Sequence, residues 1–359
     1  MKRRHLIKQV AGALVSASLL FGAQATQAED LSVGFVYVTP IGDHGWTYRH
    51  DVGRLAVEKE LGVKTNYVES VAEGADAERV IRTLASSGND IIFTTSFGYM
   101  NPTNKVAKQF PNVKFEHATG YKRGDNVSTY SGRFYEGRAV LGTIAGHMSK
   151  SGIIGYVASF PIPEVVRGIN AFTIAMRKVN PDATVKVVWV NSWYDPGKEG
   201  DAAKALIDQG ADIISQHTDS PAPLQVAEQR GVYAFGQASD MSTFAPKAQL
   251  TAIVDDWNPY YLARVKAAMD GTWESTDTWT GLKEGMVAMA PYGDAVPADV
   301  RAAADSVVAA IIDGSLHPFQ GPIKNQAGEV VVAEGETLDD GALLGMDWYV
   351  EGVQGQLPK

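Results

Sequence analysis

Two tryptophans hold matching places in the 359-residue chain. Trp46, in "IGDHGWTYRH" (41–50), follows a run of alternating apolar residues and precedes a helical pattern. Trp193, in "VNSWYDPG", ends a strand-like run before a helix in the second half. A lone indole in such a turn is as readily a lid on the core as a platform for a ligand. A matched pair fits a clamp, because stacking a base on an aromatic contributes roughly 1–3 kcal/mol per contact. Stacking has little selectivity, since every flat ring has a face, so directional groups must supply identity. Asp240 ("GQASD") and Asp255 ("AIVDD") stand where such groups are needed. A carboxylate there accepts hydrogen bonds from ring N–H or exocyclic amino groups, each worth of order 1.5–3 kcal/mol.

Catalytic chemistry finds less support. There is no "GxxxxGK[ST]", no "GxGxxG" after a strand, no "GxSxG" elbow and no "HExxH". The histidines lie at 5, 44, 50, 117, 147, 217 and 317, and only His44 and His50 are close. A spacing of six does not put both on one helical face, so no zinc site is expected. Asp255 and Asp256 are adjacent acids without a further acidic cluster and need no metal as ligand-contacting or solvated carboxylates. Neither an enzyme nor a cofactor is expected. The chain has no cysteine, which excludes disulfides, thiolate chemistry and a lipoprotein anchor.

The first residues read as an export signal. Lys2, Arg3, Arg4 and Lys8 precede the apolar "AGALVSASLLFGA", and "ATQA" suits cleavage after Ala28. "RRHLIK" is loosely like a twin-arginine signal, which leaves the export route open. Removing residues 1–28 takes four positive charges and no acids from a net charge of −9, leaving −13. Such a surface repels polyanions, so a nucleic-acid partner is not expected. The expected product is periplasmic and not lipid-anchored.

The elements that position these residues repeat. "LSVGFVYV", "VKTNYVES" and "NDIIFTTS" read as strands, separated by helical patterns from Arg49 to Leu61 and over "GADAERVIRTLASSG". The same grammar returns from Gly152 in "GIIGYVAS", "VVRGINAFTIAMRKVN", "TVKVVWVNS", "GKEGDAAKALIDQG" and "ADIISQHT". Strands alternating with helices imply parallel sheets, and the repetition implies two similar α/β lobes. Ligands of such sheets sit beyond the carboxyl ends of the strands. Trp46, Phe97, Tyr99, Phe160, Trp193 and Asp219 all lie there, and so do Asp240 and Asp255 in a later region.

Taken in order, "GDHGW", "FPNVKFEHATG", "SGRFYEGRAVLGTIAGHMSKSGIIGYV", "VNSWYDPGKEGDAAKALIDQGADII" and "GLKEGMVAMAP" span nearly the whole mature chain. In these motifs the chain resembles the basic membrane protein (PnrA-like) family of ABC-transporter substrate-binding proteins, whose best-known members bind purine nucleosides. The resemblance implies a type I periplasmic-binding-protein fold with two Rossmann-like lobes joined by three crossovers. Lobe 1 is then 31–132 plus 250–278, lobe 2 is 133–249 plus 279–359, and the ligand cleft lies between them. The crossovers are expected near Gly132, Leu250 and Trp279. Family members stack the purine between aromatics, and the pattern places these at Trp46 and Trp193. It also draws Asp43 and His44, in the turn before Trp46, into the candidate ligand-binding set.

Departures from the family pattern are informative. Where nucleoside binders carry a ribose-gripping acid after "FPxxxF", this chain has His117 or Ala118. Where they carry a lysine after "AQLTA", it has Asp255, and the first acid of the "GVDSDQ" loop is Ala238, leaving Asp240. That combination suits a free nucleobase such as adenine. The resemblance therefore implies a periplasmic importer component that delivers a purine base to an ABC permease and its ATPase, working as a monomer. The alternatives are a purine-nucleoside binder, a ligand-sensing receptor domain, or a metal-dependent nucleoside hydrolase built on Asp255 and Asp256.

Overall fold

The computed structural model describes residues 31–358, so the export signal read in residues 1–28 lies outside them. The first half runs β1 (Ser32–Val36), α1 (Gly45–Leu61), β2 (Lys64–Val68), α2 (Ala75–Ser86) and β3 (Ile91–Thr94). It continues through a single turn at Phe97–Tyr99, α3 (Met100–Ala107), β4 (Lys114–Ala118) and β5 (Val127–Gly132). The second half runs α4 (Phe134–Met148), β6 (Ile153–Ala158), α5 (Pro163–Val179), β7 (Thr184–Trp189) and α6 (Pro196–Asp208). It is followed by β8 (Ile213–His217), α7 (Ala222–Arg230), β9 (Tyr233–Gly236) and β10 (Gln249–Asp255). The remainder is α8 (Asn258–Met269), β11 (Asp277–Thr280), β12 (Val287–Met289), α9 (Ala298–Asp313), β13 (Ile323–Lys324), β14 (Val330–Val332), α10 (Asp340–Leu344) and β15 (Val353–Gln354).

Two large sheets result, with one strand order, beside a small two-stranded sheet of β13 and β14. The first has the order β11-β5-β4-β3-β1-β2 and the second β12-β10-β9-β8-β6-β7-β15. Discounting β15, the two orders correspond strand for strand, which is the structural meaning of the repeated grammar. The first sheet is parallel throughout, and in the second β12 runs antiparallel to β10. Central strands read as apolar runs because helices cover both faces; Ile91, Ile92 and Phe93 of β3 are fully buried. These are the two Rossmann-like lobes of the type I periplasmic-binding-protein fold.

Three crossovers join the lobes, and one falls later than expected. β10 pairs with β9 in parallel and with β12, so it is an inner strand of the second sheet. The chain therefore returns to the first lobe after Asp255, not near Leu250, and α8 then packs on α1. Within lobe 2, β10 lies between β9 and β12 and is buried along nearly its whole length. The other crossovers follow β5, which ends at Gly132, and β11, which ends at Thr280.

Arg133 ties the hinge together. Its side chain donates to the Trp279 carbonyl at 3.0 Å and forms paired 2.7 Å bonds with Asp340. The C-terminal segment is thereby fastened to two crossovers, while β15 adds an edge strand beside β7. Among the described residues no helix is long and apolar enough to cross a membrane.

Candidate functional site

Both sheets change direction of strand order beside their first strand, and open α/β sheets bind ligands at that switch point. A cavity of about 370 Å³, mouth included, lies there between the lobes. Val38 and Trp46 come from beyond β1, Ser96 and Phe97 from beyond β3, and Thr119 from beyond β4. Lobe 2 contributes Glu164 after β6, Trp193 after β7, His217 and Asp219 at the end of β8, and Gln237 after β9. A second, open cavity of about 810 Å³, solvent at its mouth included, adjoins it and shares Phe97, Thr119 and Glu164.

The two indoles are held differently. Trp46 donates its ring N–H to the Thr95 carbonyl at 2.7 Å. Its ring stands edge-on to His50, Trp257 and Phe134, with centroids 4.5, 5.3 and 5.9 Å away. The ring is thus held mainly by its own lobe, with Phe134 of α4 approaching from lobe 2, while still lining the cavity. Trp193 sits on the opposite lobe, tilted against Phe160 at 5.1 Å. Its ring N–H reaches across to Glu73 Oε1 of lobe 1 at 3.2 Å.

The start of α1 is where the lobes meet. Its first N–H groups have no side-chain cap from their own segment. Gly45 N donates instead to Ser239 Oγ at 2.7 Å and Trp46 N to Asp219 Oδ1 at 3.3 Å, both on lobe 2. Arg49 Nε donates to the Asp255 carbonyl. Orphan donors at a helix start need partners, and here the opposite lobe provides them. That explains why the helix begins at Gly45, earlier than the expected Arg49.

The polar wall belongs mainly to lobe 2. Glu164 Oε1 lies 3.6 Å from His217 Nε2, while Glu164 Oε2 and His217 Nδ1 are buried without partners. Burial pushes the His217 imidazole below its usual range, so at neutral pH it is uncharged. Gln237 Oε1 accepts from the buried Arg138 guanidinium. Burial, reinforced by the nearby Glu199 charge, pushes the Asp219 carboxyl up to about 8. At neutral pH Asp219 then carries a proton and can donate to a ligand acceptor.

Asp219 also makes stability depend on pH. Its folded-state value lies above the ordinary aspartate range near 4. The stability it contributes is therefore present in acid and lost as pH rises towards about 8. One such group gives a limiting slope of about 1.4 kcal/mol per pH unit. Urea unfolding of Asp219→Asn between pH 5 and 8 should be flatter than wild type by up to that amount. Parallel curves would refute the assignment.

The structure redistributes the other expected site residues. Trp46, Trp193 and Phe97 do line the cavity. Phe160 supports Trp193 from the side. Tyr99 turns into the lobe 1 core, fully buried, with its hydroxyl donating to the Val71 carbonyl. His117 is likewise buried, its Nε2 bonded to Ser96 O at 2.9 Å, and burial lowers its imidazole to about 4. Asp43 is exposed, and His44 packs against Phe244 at the rim. Asp240 is exposed and is occupied by Ser242 N and the Gln249 side chain. Asp255 is buried and is not among the cavity-lining residues; among the described residues neither of its carboxyl oxygens has a partner, and burial holds its carboxyl well above the ordinary range. Asp256 is half exposed beside Arg49 at 3.6 Å, so the two adjacent acids do not converge.

Glu164, His217, Gln237 and Thr119 were not foreseen as site residues. Position relative to a strand end was a usable signal for His217, which ends β8, and for Thr119, which directly follows β4, whereas Glu164 stands six residues beyond β6 in α5. Gln237 directly follows β9 and carried the same signal, but nothing in the sequence separates it from Ala238 and Ser239 beside it.

Comparison with known proteins agrees with this architecture. The sequence model of the family described as "ABC transporter substrate-binding protein PnrA-like" matches residues 31–313. The chain is 59% identical over 345 residues to a purine-binding protein of Brucella abortus, covering 96% of this chain and 98% of that one. It is 38% identical over 338 residues to a Haloferax volcanii protein whose name proposes glucose as the ligand of an ABC transporter, covering 94% and 84%. An ABC transporter solute-binding protein from Aeropyrum pernix superposes with a TM-score of 0.70 at 20% identity, covering 82% of this chain and 93% of that one.

Proposed function

Since the chain belongs to the PnrA-like family of ABC transporter substrate-binding proteins, we propose that it captures a purine nucleobase, adenine or a close analogue, between Trp46 and Trp193. It acts in the periplasm as a monomer and hands the base to a membrane permease driven by an ATPase. The observation that carries this reading is the cavity at both switch points, with an indole on each wall. The Brucella abortus relative named for purine binding supports the same ligand class. Closure is the functional event, because a ligand shifts the open–closed equilibrium by its differential affinity for the two states.

A base is favoured over a nucleoside because the end of β4 and the residue after it provide no acid. His117 is turned to Ser96, Ala118 is buried, and Thr119 alone reaches the cavity. The adjoining cavity beside Thr119 and Arg167 supports the second reading, a purine nucleoside whose sugar would occupy it. Calorimetric titration with adenine, adenosine and glucose separates these readings, with tryptophan emission followed in parallel. Adenine should bind with a 1:1 stoichiometry and quench emission, adenosine more weakly, and glucose not at all. Glucose binding without purine binding would refute the reading, and tighter adenosine binding would select the second one.

A further inference from the structure

Lobe 1 offers this cavity mainly apolar surface, while buried polar atoms without partners gather on lobe 2. Ser159 Oγ, Glu164 Oε2, His217 Nδ1 and Thr218 Oγ1 are among them. Of these, Glu164 Oε2 belongs to a cavity-lining carboxylate. Its side chain is only 9% exposed. A buried acceptor left unmatched is costly, and among the described residues nothing matches this one.

We propose that Glu164 is the specificity-determining residue of the cleft, its Oε2 accepting an N–H from the exocyclic amino edge of the stacked heterocycle. The protein thereby selects amino-substituted bases and rejects those presenting a carbonyl oxygen at that edge. This proposal rests on the purine reading above.

Three features equip Glu164 for the role. It lies in the first turn of α5, where the positive end of the helix dipole favours an anion. Arg167, one turn further on, is buried, stacks on Trp279 at 4.9 Å, and feels the Glu164 charge. His217 approaches only the other oxygen, at 3.6 Å, and being uncharged it does not consume the carboxylate as an ion pair would. A carboxylate facing a carbonyl oxygen is repulsive, and discrimination is strongest when the wrong ligand meets a repulsive group.

The test compares adenine with hypoxanthine, which carries a carbonyl in place of the amino group, in wild type and Glu164→Gln by calorimetry. Wild type should prefer adenine by about 100-fold or more, as expected when a buried charged group would lose its partner. In Glu164→Gln the adenine affinity should fall about tenfold or more. Hypoxanthine affinity should be retained or improved, which also shows that the variant is folded. An unchanged adenine-to-hypoxanthine ratio, whether both affinities persist or fall together, overturns the proposal while leaving the purine reading standing. Equal wild-type affinities overturn it as well. A wild-type protein that binds no purine removes both readings at once.

Discussion

Trp193→Ala should weaken adenine binding about fivefold or more while leaving the protein folded. One stacking face contributes roughly 1–3 kcal/mol, or about 5- to 150-fold in affinity. Trp193 is the cleaner of the two indoles to remove. It is only partly buried, and its polar contact is the Glu73 bond across the cleft. Trp46→Ala should lower affinity as well, but it also empties a nest shared by His50, Trp257 and Phe134. Its stability loss would confuse the reading. Calorimetry with adenine, checked by circular dichroism, decides the matter, and unchanged affinity in Trp193→Ala would end the clamp.

Gly45→Ala should hold the lobes apart. Gly45 has a φ of 76°, a left-handed conformation that costs an L-residue about 1–2 kcal/mol. A Cβ there would also stand 2.9 Å from the Asp219 carbonyl oxygen of the opposite lobe. That second penalty exists only when the lobes are together, so it acts on closure more than on folding. Apparent affinity falls in proportion to the fraction of closed-competent molecules, and at least a tenfold loss of adenine affinity is expected. Small-angle scattering should show wild type compacting when adenine is added and the variant failing to do so. A variant that compacts and binds like wild type would show that this contact does not govern closure.

Much of the fold was legible because its causes are local. Gly62 ends α1 in the left-handed conformation, its N–H bonded to the Glu58 carbonyl at 3.0 Å, as its place after the last apolar turn indicated. The repeated strand–helix grammar became two sheets of one order, since strand length and apolar runs are properties of short segments. The return crossover was misplaced because an apolar strand does not reveal which of two sheets will flank it. Asp240 and Asp255 illustrate the same limit for the site. Both follow strand-like runs, yet one side chain is exposed and bonded locally while the other is buried without a partner among the described residues. Alternate residues of a strand face opposite ways, so proximity to a strand end does not say which side chain meets the ligand.

By itself the sequence determined two α/β lobes, an aromatic from each near the strand ends, and kinship with a substrate-binding family. Each of those is written in segments of about thirty residues or fewer, or in the order of such segments. Only the tertiary structure decided that Glu164, His217, Asp219 and Gln237 share one wall, and that Asp219 holds its proton near neutrality. It also decided that α1 begins at Gly45, capped by residues 173 and 194 positions away. Burial, and with it the charge state and free hydrogen-bonding capacity of each group, depends on how two distant halves of the chain come together.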